Sequence, residues 1–195
     1  MKSLTVLLLV AMVATVARAG IDPAADSFGV YFDTAGNTNC VTASMFVPLP
    51  VYLILMNPAG PTNGFECSVS MTGAPHFVLA TTSAFNCDMD QDWAQILGDY
   101  VCVGASAIPP PPNGALILVT WSIMLQVPNE LLFHVGPASI PSLPGGLPVL
   151  VGDGVLRRGA VASGDVNLPV AGINAADCPV GSDVSSFGAV KSLFR

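Results

Sequence analysis

Proline and glycine constrain this chain more than any other residue types. The 195 residues hold 19 glycines and 17 prolines, scattered along the sequence, and they cut most of it into short apolar runs. An amphipathic helix needs a longer periodic stretch, whereas a strand of about five residues does not. Only 10% of residues are charged, and Val, Leu and Ile are abundant. A chain of this kind is expected to be β-rich with short connections.

The first nineteen residues follow a different rule. Met1-Lys2-Ser3 precedes an apolar run from Leu4 to Ala17, and Ala17-Arg18-Ala19 stands before Gly20. A basic start, an apolar core and an A-x-A site form a secretory signal peptide. The run is shorter than the ~20 apolar residues that span a bilayer. Residues 1–19 are therefore expected to be removed, placing the mature chain in a periplasm, at a cell surface or in the medium. No second run long enough to span a membrane follows.

Beyond Gly20 the runs read as strands. Phe28, Val30 and Phe32 alternate within Ser27–Asp33, and Val41–Val47 follows the turn at Gly36-Asn37. Val51–Met56 is continuously apolar, the pattern of a central strand covered on both faces. Phe65, Cys67, Val69 and Met71 alternate with Glu66, Ser68 and Ser70, as a half-exposed strand does. Phe77–Thr82, Tyr100–Val103, Ala115–Leu125 and Leu131–Val135 add four more candidates. Val149–Val151 and Val155–Arg157 flank Gly152-Asp153-Gly154, a hairpin signal. Pro137–Pro148 is too rich in proline for a central strand. Asp88–Gly98 is the most helix-like mature segment, with Trp93, Ile96 and Leu97 at helical spacing. The expected fold is all-β: an antiparallel β-sandwich of jelly-roll or Ig/cohesin-like type, with about eight to ten strands. Residues 20–161 would form the sandwich, and 162–195 a loop-like extension with a short terminal segment.

Charge narrows the partners. The mature chain keeps Arg157, Arg158, Lys191 and Arg195 against thirteen acidic residues, a net charge of −9 with His neutral. Nucleic acid and anionic membranes both require basic clusters, so neither is an expected partner. Proteins, glycans and cations remain. All five cysteines are in the mature part, where an exported setting permits disulfides. Cys87 and Cys102 are close in sequence and form the favoured pair. A second bridge would draw on Cys40, Cys67 and Cys178, leaving one thiol either free and buried or shared with a partner.

Catalytic groups are sparse. His76 and His134 lie in apolar strands without a neighbouring carboxylate, and no nucleophile elbow, HExxH or P-loop occurs. No catalytic residue is assigned, and the chain is expected not to be an enzyme. Asp88, Asp90, Asp92 and Asp99 occupy loop positions 1, 3, 5 and 12, a spacing that suits Ca²⁺. Trp93 stands where such a loop needs glycine, so a solvated acidic loop is the alternative. Trp93 is also the candidate to stack on a sugar, with core packing as its alternative. Phe187, Val190 and Phe194, with Lys191 and Arg195, would share one side of a terminal helix that either docks on the sandwich or serves as a tether.

The sequence Val51-Tyr52-Leu53-Ile54-Leu55, followed by Gly64-Phe65-Glu66-Cys67-Ser68-Val69, resembles cohesin-type and related carbohydrate-binding β-sandwich modules. The resemblance covers roughly residues 27–160. It implies a binding surface, usually for a partner module, and carries no catalytic residue. The ending Phe187-Gly188-Ala189-Val190-Lys191-Ser192-Leu193-Phe194-Arg195 resembles the tails of certain secreted bacterial proteins. The leading expectation is a secreted, non-catalytic sandwich that binds a protein or glycan at the cell exterior. A subunit of an extracellular assembly using its tail comes second. An exported hydrolase drawing on Glu66, Glu130 or an aspartate comes third.

Overall fold

A computed structural model describes residues 22–90 and 97–177. Residues 1–19, expected to be a signal peptide, and Asp92, Trp93, Cys178 and Ser185–Arg195 lie outside the described residues. Thirteen strands follow in order: β1 Ser27–Tyr31, β2 Cys40–Val41, β3 Leu49–Met56, β4 Thr62–Gly73, β5 His76–Ser83, β6 Asn86–Asp90, β7 Leu97–Ile108, β8 Ala115–Leu125, β9 Leu131–Gly136, β10 Val149–Gly152, β11 Val155–Arg158, β12 Ala160–Val161 and β13 Ala171–Ile173.

They form two sheets. The five-stranded sheet has the order β12-β1-β3-β8-β5. The eight-stranded sheet is built on β4. Along one edge β4 pairs with β7, which pairs in turn with β6. Along its other edge it pairs first with β10 and then with β9. From there β10 leads to β11, and β9 leads to β13 and β2. Pairing is antiparallel except at β1–β12 and β13–β2.

The inner faces meet in one core. Phe28, Leu53, Leu118 and Trp121 from the five-stranded sheet face Phe65, Tyr100, Phe133 and Leu150 from the other. The rings of Tyr100 and Trp121 meet edge-on at 6.0 Å. The Trp121 indole N–H donates to the Tyr100 hydroxyl at 2.9 Å, so the core's largest side chain buries no unpaired polar atom. Burial pushes the Tyr100 hydroxyl up to about 12, partly offset by that hydrogen bond.

Polar groups close one end of the sandwich. Asp26, just before β1, receives the Arg157 Nε–H at 3.0 Å and the Ala59 N–H at 2.9 Å. Arg157 also donates to the Pro61 carbonyl at 3.3 Å. One guanidinium thereby ties β11 to the β3–β4 turn and to the start of β1. The β10–β11 hairpin turns as its sequence dictates: Asp153 and Gly154 both have positive φ, at 51° and 76°.

Four expectations change. The helical spacing of Asp88–Gly98 is overridden at both ends, because Asn86–Asp90 and Leu97–Ile108 pair as strands. The predicted strand Val41–Val47 stops at Val41, and Phe46 takes a positive φ of 60°. The sandwich does not end at residue 161. Ala171–Ile173 are buried between β9 and β2, because the edge of β9 requires a partner. Glu66 and Ser68, expected on an exposed face, are buried.

Candidate functional site

That last change exposes the main surface feature of the molecule. The non-strand segment 137–148 crosses the outer face of the eight-stranded sheet as a strap. The Ser139 N–H donates to Asp99 Oδ2 at 2.8 Å, reaching β7. The Ser142 N–H and Oγ–H both donate to the Glu66 carboxylate of β4, the latter at 2.7 Å. Arg158 of β11 donates from Nε to the Pro144 carbonyl at 2.8 Å. Charge-assisted bonds of this kind are roughly twice as strong as neutral ones. Three charged side chains from three strands thus fix an otherwise irregular segment.

Between the first two anchors stands Ile140, 89% exposed. Val101 and Val103 of β7 are also exposed. Both occupy the same face as the strap, since Val101 pairs with Glu66 and Val103 with Gly64. This face therefore joins an exposed aliphatic row to an aliphatic side chain held on a fixed support. Burial lowers the His134 imidazole pKa, on neighbouring β9, from its ordinary value.

The acidic candidates converge only in part. Asp90 lies opposite Asp99 in the β6–β7 ladder, and Asp88 lies opposite Val101. Asp92 and Trp93 fall outside the described residues. Asp99 already uses one carboxylate oxygen on the strap. No group of three or more His, Cys, Asp or Glu side chains gathers as a metal site among the described residues.

Cys87 and Cys102 are bonded as expected, directly opposite each other, with Cα atoms 3.9 Å apart. They lock β6 to β7. Cys40 is also disulfide-bonded, whereas Cys67 is a free, buried thiol whose pKa burial pushes far up. A buried thiol with a raised pKa is inert rather than nucleophilic. Sequence reasoning missed the roles of Glu66, Asp99, Ser139, Ser142 and Ile140. The available signal was one glutamate inside an apolar strand and two serines three residues apart in a proline-rich segment.

The fold is a cohesin-like β-sandwich. The chain is similar in structure to a type II cohesin domain from the cellulosome of Acetivibrio cellulolyticus. The TM-score is 0.50 at 15% identity, over 77% of this chain and 96% of that domain. It is likewise similar to the type II cohesin dyad from the adaptor ScaA scaffoldin of the same organism, with TM-score 0.51 and 14% identity. That match covers 77% of this chain and 48% of the dyad, so the chain spans about half its length. Similarity at these identities is similarity of fold. No protein-family model and no curated protein matches the chain.

Proposed function

We propose that the protein is an exported, non-catalytic binding module that docks a protein partner on the outer face of its eight-stranded sheet. One observation carries this reading: the pinned strap, with Ile140 exposed on the face that also exposes Val101 and Val103. An interface needs apolar anchors whose ordering cost has already been met, and a strap held by three charged side chains supplies that. The cohesin-like fold supports the same reading, since the similar structures are described as coming from a cellulosome and from an adaptor scaffoldin. The signal peptide supports export. The Asp99 carboxylate, which spends one oxygen on the strap, favours a partner that brings a basic group to the exposed aliphatic row. Calcium binding by Asp88, Asp90, Asp92 and Asp99 is a further part of this reading that rests on sequence spacing alone.

The test is a binding measurement on the processed chain against proteins exported by the same cell. A saturable partner is expected. The double variant Val101→Asp, Val103→Asp should weaken its binding about 30-fold, the effect of losing a hot spot of about 2 kcal/mol. Phe77→Lys, on the other sheet, should leave affinity unchanged. Absence of any saturable protein partner, or equal losses from the two faces, would refute the assignment.

A further inference from the structure

The other sheet presents a different surface, and its open edge carries an inference independent of the proposed partner site. Among the described residues, the two sheets expose five edge strands. Four are blunted in the ways that keep sheets from pairing with one another. β12 and β2 are two residues long. β11 has four residues, of which two are arginine. β6 has five, of which two are aspartate. β5 is the exception: eight residues, His76–Ser83, with no Asp, Glu, Lys, Arg or Pro.

Its neighbours extend this neutrality. β1, β3 and β8 contain no Asp, Glu, Lys or Arg either. In a mature chain of net charge −9, the five-stranded sheet is where two copies can approach without opposing carboxylates. The edge is also apolar. Phe77 is 48% exposed and Leu79 50% exposed. Leu79 sits at a bulge, where the β5–β8 register shifts between Val78 and Ala80.

An uncharged edge strand leaves a row of backbone N–H and C=O groups whose natural partner is another strand. We infer that β5 is a self-association edge: β5 of one copy pairs antiparallel with β5 of a second about a twofold axis, joining two five-stranded sheets into one. A twofold contact is self-complementary, which suits a strand without charge of either sign. The occupant is a second copy of this chain, so each assembled pair would carry its two strapped faces away from the junction.

Sedimentation of the processed protein over a wide concentration range tests this directly. The mass should rise from one copy to two, and hydrogen exchange of the β5 amides should slow as it does. Leu79→Lys and, separately, Phe77→Lys should weaken association at least about tenfold by placing unpaired cations at the junction. Val103→Lys, on the opposite sheet, should not. A one-copy mass throughout, a dimer indifferent to both β5 variants, or a dimer whose β5 amides exchange as fast as the monomer's would overturn the inference. Since hydrogen exchange is read on the unaltered chain, a variant that fails to fold leaves the test intact.

Discussion

The outer face of the eight-stranded sheet is crossed by a strap that Glu66, Asp99 and Arg158 hold down. The outer face of the five-stranded sheet receives much lighter cover. There the turn around Gly36 folds over Tyr31, Ile54 and Met56, and among the described residues nothing crosses the rest of the face, out to exposed Phe77 and Leu79. At Gly36, φ is +70° and an added Cβ would stand 2.5 Å from Met56 Sδ, so glycine alone permits that cover. The strap is thus held by charged side chains of the strands beneath it, whereas β1, β3, β5 and β8 carry no Asp, Glu, Lys or Arg and the Gly36 turn is held by its own Asp33. The difference suggests a division of labour: a shaped surface that selects, and a neutral edge that accepts another strand.

The strongest perturbation should act on both faces at once. Trp121→Ala empties the core between the sheets and strips Tyr100 of its donor. It should cost about 4 kcal/mol in denaturant unfolding, with a single transition for the whole sandwich. Two separate transitions would show that the sheets are less dependent on a common core than their packing indicates.

A smaller effect should separate the faces. Replacing Cys87 and Cys102 together by serine should cost about 3 kcal/mol in the loop-entropy account of a cross-link this size. Hydrogen exchange should quicken in β6 and β7, while β5 keeps its rates. Acceleration spread equally over both sheets would count against local locking.

The smallest effect sharpens the contrast most. Glu66→Gln keeps the side chain's size and removes its charge, at about 1 kcal/mol. Exchange at the Ser142 amide should rise while the sandwich remains folded. Thr82→Ala, on the bare face, should stay within about 0.5 kcal/mol of the parent. Equal costs at the two positions would mean that the strap is not held by charge.

Much of this was legible in the chain. Ala115–Leu125 was expected as a strand and is β8 to the residue. The apolar run at Val51–Met56 is central, between β1 and β8. The Cys87–Cys102 bridge followed from loop length alone. The strap was not legible. Glu66 sits in an alternating pattern, and alternation by itself assigns it to solvent. Only the return of residues 137–148 across β4 buries it, to 8% exposure. The likeness to cohesin-type modules, first suggested by two short segments, is a likeness of fold over 77% of the chain.

Sequence by itself therefore determined the central strands β3 and β8, the turn at Asp153-Gly154, the Cys87–Cys102 disulfide and the lack of charge across one sheet. Each follows from local periodicity, backbone preference or composition. Tertiary structure decided which carboxylates hold a loop, which aliphatic side chain that loop displays and which edge stays open. It also drew Ala171–Ile173 into the sandwich beyond the apparent end of the domain. These outcomes depend on contacts between residues far apart in the chain, such as Glu66 with Ser142 and Asp26 with Arg157. Local periodicity carries no record of such pairings, because a buried polar group finds its partner only after the sheets have closed.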